Sequence, residues 1–430
     1  MPPDFDLRLS AFAEVILRIG LNLQPGQRLL IAEPYELQGV DRSAEVIVEA
    51  VKSAALEVGC PHPAGVKVIW GDAGQLRQFA QNKDWRGFVQ PVADNARRMQ
   101  EYINKGDALL FLQSSQPRLM DGVPASNVAE LRRIAWEYFG PIAQQLVQGA
   151  TNWTVAPAPT ADWAAAAGMD VSVLWQTVFQ ALRIDGSNVG GALCPDSEPS
   201  GRKAPPTLDA PLTTWRTHLA ALTRRRDALN AARHRRIRYI GPGTDLTVTL
   251  PPEHTWCTAQ LTTRTGLPFV ANLPTEEIFT APHRDSAEGT VRVSRPVSYG
   301  GSVIDGIELE FKRGRVVAAG ARTGADLLQR ILDTDEGAGR LGEVALVGNV
   351  GGNLPPDSAL SGHKAPPTWQ ASRPFFYHPL LDENAHSHVA LGEAYGFCLR
   401  RPNPGALNRS LVHVDLPLDA SVILPGMEPA

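Results

Sequence analysis

The period of the hydrophobic pattern changes halfway along the chain, and this constrains the fold more than any other feature. Over roughly the first 185 residues, stretches with helical spacing alternate with short apolar runs. Leu7 to Leu23 carries Leu7, Phe12, Val15, Ile16 and Ile19 at helical spacing and stops before Pro25-Gly26. Ser43 to Val58 repeats the pattern, a polar helical region runs to Asn104, and another helix falls around Val128 to Gln148. Between them Arg28–Ala32, Val66–Trp70, Ala108–Gln113 and Trp153–Ala156 read as short buried strands. Such an alternation predicts a parallel or mostly parallel sheet covered on both faces. From Ile237 onward the character becomes β. Asp245–Leu250 alternates, Thr290–Arg295 and Ile307–Phe311 read as strands, and Lys312-Arg-Gly-Arg315 reads as a hairpin-like turn before Val316–Ala319. Leu327–Leu332 is a helix interior and Glu343–Val347 another strand. The expected fold is an α/β N-terminal domain with a mostly parallel sheet, followed by an α+β domain rich in antiparallel sheet.

The expected organisation is an N-terminal domain over 1–185, a connecting helix over 211–237 and a second domain over 238–430. The helix, centred on Trp215 to Arg236, carries Arg216, Arg224, Arg225, Arg226, Arg233, Arg235 and Arg236 above Leu219, Leu222 and Leu229. A phosphate site is one reading of those arginines, but a solvated face is the preferred one. Asn188–Thr207 and Asn349–Thr368 match at 15 of 20 positions, and both are rich in Gly, Pro and Ser. They are read as flexible insertions of common origin, over 186–210 and 349–370.

Composition excludes several functions. A net charge of −4 without a basic, aromatic-interleaved tract gives no footprint for nucleic acid. No apolar run reaches the roughly 20 residues of a membrane span, and Met1-Pro-Pro-Asp-Phe-Asp lacks a basic-then-apolar leader. Cys60, Cys194, Cys257 and Cys398 are scattered, as expected of free thiols in a reducing, cytoplasmic setting. No Gly-x-Gly-x-x-Gly follows a strand, so a dinucleotide site is unsupported.

The chemistry concentrates between Asn272 and Asp415, where six of the ten histidines lie between His283 and His413. Glu276 and Glu277 are adjacent, so extended backbone sends them to opposite faces, and only one readily serves as a ligand. His413-Val-Asp415 places two candidate ligands on one face of a strand. Asp382-Glu383-Asn384 with His386 and His388 packs four candidate ligands into seven residues, and Glu343 stands at the mouth of an apolar run. Hard carboxylate oxygens with borderline imidazole nitrogens are what a hydrolytic metal pair requires, so a metal-dependent hydrolase is expected.

Four of these blocks resemble one family. They are Asn272-Leu-Pro-Thr-Glu-Glu-Ile-Phe-Thr-Ala-Pro-His283, Asp335 to Val347, Leu381-Asp-Glu-Asn-Ala with His388-Val-Ala-Leu-Gly-Glu-Ala-Tyr395, and Asn408-Arg-Ser-Leu-Val-His-Val-Asp415. Gly20-Leu-Asn-Leu-Gln-Pro-Gly-Gln27 and the Trp153, Pro159-Thr160, Trp163 region add to the likeness. The chain resembles the thermophilic aminopeptidases of the aminopeptidase T and aminopeptidase S type over nearly its whole length, apart from the two repeats. The resemblance implies a C-terminal catalytic domain with a dinuclear metal centre, peptide substrates and a homodimer enclosing the active sites. Carried over by motif, the ligands are Glu277, Glu343, Glu383, His388, His413 and Asp415, holding two divalent ions (Zn, Co, Mn or Mg). Tyr395 is the expected hydrogen-bond donor to the developing oxyanion, and Glu343 or Glu276 the expected proton shuttle. Two other readings stand beside this one: a metal-dependent amidase or deacylase on small N-acyl compounds, and a non-catalytic oligomeric relative.

Overall fold

A computed structural model describes residues 4–33, 39–62, 65–184, 209–348, 375–403 and 405–424. The first half holds α1 (Phe5–Val15), β1 (Leu29–Ala32), α2 (Glu45–Val58), β2 (Val66–Val68), α3 (Ala73–Asn82), α4 (Trp85–Lys105), β3 (Ala108–Gln113), α5 (Ala125–Val147) and β4 (Trp153–Pro157). The four strands pair in parallel in the order β2-β1-β3-β4. Every residue of the central strand β3 is buried, as a strand covered on both faces requires. Helix ends follow capping chemistry. Asp84 accepts from the Gly87 N–H at 2.9 Å to start α4, and Gly106, at φ 71°, ends it.

Short helices α6 (Ala161–Ala166) and α7 (Val171–Ala181) follow, then the long α8 (Asp209–Ala232). The first expected insertion lies outside the described residues except for its last two, which open α8, and the second lies outside them entirely. The expected helix runs on to Arg236, whereas in the structure α8 stops at Ala232 and Arg236 opens a strand. Its arginines are also not all solvated. Arg225 is buried and donates to the Gly348 carbonyl, because the helix lies against the second half on that side.

The second half is α+β. Strands β5 (Arg236–Gly241), β6 (Thr244–Thr249), β7 (Gln260–Thr262), β8 (Pro268–Val270), β9 (Glu277–Thr280), β10 (Glu288–Arg292), β11 (Val297–Tyr299), β12 (Ser302–Ile304), β13 (Glu308–Lys312) and β14 (Arg315–Gly320) precede α9 (Ala325–Leu332). Then come β15 (Leu341–Val347), α10 (Pro379–Glu383), β16 (His388–Gly392), β17 (His413–Pro417) and β18 (Ser421–Ile423). One sheet of six strands has the order β14-β13-β10-β6-β5-β18, and one of four has the order β17-β16-β15-β9. Every pairing in these two sheets is antiparallel. The fold expected from the hydrophobic pattern is the fold observed.

The two halves are stitched where it matters for the site. The segment just before β9 runs beside β4: the Val155 N–H donates to the Ala271 carbonyl at 2.8 Å, and the Leu273 N–H donates to the Val155 carbonyl at 2.9 Å. The parallel sheet of the first half therefore aims the chain that becomes β9, three residues before Glu276. Among the described residues no helix is long and apolar enough to cross a membrane.

Candidate metal centre

Sheet register gathers the candidate ligands. Glu277 pairs with Val347, Glu343 with Ala390, Ala390 with Asp415, His388 with Ala345, and His413 with Gly392. Directly paired residues in an antiparallel ladder share a face, and so do residues two apart along a strand. Glu277, Glu343, His388, His413 and Asp415 thus project from one face of the four-stranded sheet. The positions between them are small (Ala345, Ala390 and Gly392), which leaves room for the functional groups to converge. Two glycines are steric necessities. A Cβ on Gly342 would lie 2.3 Å from the Glu393 carbonyl oxygen, at the irregularity that turns Glu343 inward. A Cβ on Gly392, at φ 99°, would lie 2.0 Å from the Val412 carbonyl oxygen.

The groups meet at short range. One ligand atom from each of Glu277, Glu343 and His388 lies within 4.8 Å of the other two. His388 Nε2 is 3.3 Å from Glu277 Oε2, 3.8 Å from Glu343 Oε1 and 3.9 Å from Asp415 Oδ1. His413 Nε2 is 3.6 Å from Glu343 Oε2 and 3.5 Å from Asp415 Oδ1. Glu343 therefore turns one oxygen toward each imidazole. Both rings are fixed from behind: His388 Nδ1 faces the His386 carbonyl at 3.1 Å, and His413 Nδ1 faces the Glu393 carbonyl at 3.0 Å. A carbonyl only accepts, so each Nδ1 donates and each Nε2 is aimed at the carboxylates, the orientation metal-ligating histidines adopt. Glu383 reaches the same cluster from the end of α10 and is buried. The Tyr395 ring sits 5.3 Å from that of His413, stacked on Phe397.

The electrostatics are those of a site built for cations. Four carboxylates lie in a buried region, where two like charges about 4 Å apart repel by about 4 kcal/mol at an effective dielectric of 20. Burial, together with Glu277 and Asp415, raises the Glu343 carboxyl, and burial with Asp415 raises Glu383 well above the usual range. Burial works against charge on His388 and His413, yet the surrounding carboxylates outweigh it. His388 is raised well above its ordinary value, and His413 is pushed up to about 10. Protons are thus drawn into the positions where positive charge is needed. Oxygen and nitrogen donors at this density fit divalent cations.

Glu276 is placed elsewhere. Its Oε1 accepts from Arg183 Nη2 at 2.6 Å, and its Oε2 lies 3.7 Å from His218 Nε2, on the side facing α8. Burial alone would raise this carboxyl, but the charges of Arg183 and His218 outweigh it and hold it low. The structure therefore brings Glu277, Glu343, Glu383, His388, His413, Asp415 and Tyr395 to one cleft and turns Glu276 away from it. Asp382 lines the cleft, but its two oxygens accept from the Phe376 and His378 N–H groups.

Three supporting residues escaped the sequence reading: Arg183, His218 and Asn384. Asn384 is fully buried. It accepts from the Glu276 N–H at 2.6 Å while donating to the Leu380 carbonyl at 2.8 Å and reaching Glu383 at 3.4 Å, which ties β9 to α10. Its place inside the Asp-Glu-Asn block was the only signal for it; Arg183 and His218 carry none, since their partner is about 60 to 90 residues away.

A cleft of about 1720 Å³ opens from this cluster toward the carboxyl ends of the parallel strands. Clustered carboxylates and imidazoles at the foot of an open cleft are the architecture of a metallohydrolase. The sequence profile of the thermophilic metalloprotease (M29) family matches residues 5–192 and 207–423, and the chain belongs to that family, whose members are metal-using peptide-bond hydrolases. Aminopeptidase T of Thermus thermophilus is 34% identical over 423 residues, covering 96% of this chain and 92% of that protein. Aminopeptidase 2 of Geobacillus stearothermophilus is 32% identical over 425 residues, covering 96% and 91%. The solved structure of wild-type AmpT from Thermus thermophilus is similar with a TM-score of 0.75 at 32% identity, covering 98% of each chain.

Proposed function

We propose that this chain is an aminopeptidase that removes N-terminal residues from peptides, using two divalent cations held by Glu277, Glu343, Glu383, His388, His413 and Asp415. The observation that carries a two-ion reading is the placement of Glu343, with Oε1 toward His388 and Oε2 toward His413. A carboxylate shared in this way, beside an Asp415 oxygen that also faces both rings, suits two neighbouring cations. Mixed oxygen and nitrogen donors accept Zn, Co, Mn or Mg. When bound, such cations would polarise a carbonyl and bring the pKa of a held water down to about 7.

The chain's own residues do the rest. Glu343, with an oxygen toward each imidazole, is assigned to holding the ions, and another carboxylate of the cluster takes the proton from the attacking water and passes it to the leaving amine. Glu276, engaged by Arg183 and His218, is assigned to positioning Glu277 instead. Tyr395 donates a hydrogen bond to the oxyanion as it develops. Acidic side chains hold the free α-ammonium of the substrate, which limits cleavage to the first residue. A cytoplasmic location and a homodimer that encloses the clefts belong to the same reading, and sedimentation velocity reads the second. Comparing an aminoacyl p-nitroanilide with its N-acetylated form tests the assignment. Metal-dependent cleavage of the free-amine substrate alone is expected; cleavage of only the blocked one would assign an amidase or deacylase.

A further inference from the structure

Two buried acceptors in the wall of the cleft have no hydrogen-bond partner among the described residues: Gln113 Oε1 and His378 Nδ1. Gln113 is the last residue of β3, at the carboxyl edge of the parallel sheet, where open α/β sheets bind their ligands. Its backbone carbonyl accepts from the Ala158 N–H at 2.7 Å and faces His378 Nε2 at 3.0 Å. A carbonyl cannot donate, so Nε2 carries the proton and Nδ1 is left as a bare acceptor. Burial lowers the imidazole to about 4, which keeps that lone pair open at neutral pH. The ring cannot turn away, because it stacks on Trp163 with centroids 4.5 Å apart. His378 is fully buried and Gln113 is 6% exposed, so both atoms are shielded from bulk solvent. Beside them Tyr377 holds a left-handed backbone at φ 56°, which bulky residues seldom adopt and which clusters at functional sites.

We propose that Gln113 Oε1 and His378 Nδ1 form a peptide-binding subsite that accepts hydrogen bonds from backbone N–H groups of the substrate downstream of the scissile bond. This rests on the peptidase reading above and adds a substrate-length preference to it. The reach follows from the fold. His378 directly precedes α10, and Glu383 of the metal cluster ends it, so the two are five residues apart on a helix. At 1.5 Å per residue that is about 7.5 Å, the length of about two residues of extended peptide. The N–H groups served are those of the second and third residues past the cleaved bond. An aminoacyl anilide has neither, and a tetrapeptide has both. Both acceptors are buried, so engagement requires the wall they share with Phe375 and Tyr377 to shift as the peptide enters.

The test compares Leu-Ala-Ala-Ala with leucine p-nitroanilide, using the metal-loaded wild type, Gln113→Met and His378→Phe. Methionine and phenylalanine keep the volume and the ring stack but remove the acceptor. The ratio of kcat/KM for tetrapeptide to anilide is expected to fall about tenfold in each variant, through KM, the effect of one lost hydrogen bond. N-methylation of the tetrapeptide at its third or fourth residue is expected to cost the wild type a similar factor at either position, and each variant nothing further at the one position whose acceptor it lacks. Bound metal, read by atomic emission, is expected to match the wild type. The proposal is overturned if the ratio is unchanged, if N-methylation costs wild type and variants alike at both positions, or if both substrates fall together with loss of metal. A wild type that cleaves neither substrate would instead overturn the peptidase reading and this subsite with it.

Discussion

Replacing Arg183 with methionine tests whether the site depends on an ion pair that contributes nothing to its chemistry. Arg183 Nη2 lies 2.6 Å from Glu276 Oε1, each side chain is 10% exposed, and the guanidinium sits 5.0 Å over the Trp215 ring. Removing one partner of a buried pair costs about 3–5 kcal/mol, because the other charge stays desolvated and uncompensated. His218, 3.7 Å from the second oxygen, offsets part of this only when protonated, so the lower half of that range is the floor. Methionine keeps the packing against Trp215, which leaves charge as the variable. The Arg183→Met chain should therefore unfold at clearly lower temperature by circular dichroism. It should also bind divalent cations about 10- to 100-fold more weakly in chelator competition, the usual effect of losing a group that orients a ligand. The double variant Arg183→Met/Glu276→Met removes both charges and should regain most of the stability. A single variant as stable as the wild type, or a double variant no better than the single, would refute this account of Glu276.

Other consequences are equally open to measurement. His378 is held near a pKa of about 4 against about 6.5 unfolded, so between those values the unfolded chain binds a proton that the folded one does not. Stability is then lost as pH falls from about 6.5 to about 4, by up to roughly 3 kcal/mol. Melting temperature measured against pH should fall less steeply for His378→Phe over that window, and parallel curves would contradict the assignment. Gly392→Ala forces a Cβ to 2.0 Å from the Val412 carbonyl oxygen at a left-handed φ, so β16 must shift beside His413. A lower melting temperature and reduced cation affinity are expected together, and unchanged affinity would show that the strand spacing is not what sets the site.

How much of this could be read from the sequence depended on range. The strands Ala108–Gln113 and Trp153–Ala156 and the helix at Ser43–Val58 were legible because buried runs and helical spacing are local signals. The period of two also showed that Glu276 and Glu277 must diverge, although nothing local said which way the cluster lay. The convergence of Glu277, Glu343, His388, His413 and Asp415 depends on register among four strands spread over more than 130 residues, which no local pattern encodes. The spacing of Ala345, Ala390 and Gly392 between them is meaningful only once that register is known. Arg225 was misjudged as solvated because helical charge says nothing about what packs against it.

The central claim is that one sheet face grips two cations between His388 and His413. Anomalous scattering from crystals grown with cobalt or zinc tests it most directly. Two peaks are expected within bonding distance of Glu343, one beside each imidazole, with Glu276 still on Arg183. Metal bound away from these side chains, or a single ion that leaves His413 without a bond, would contradict it.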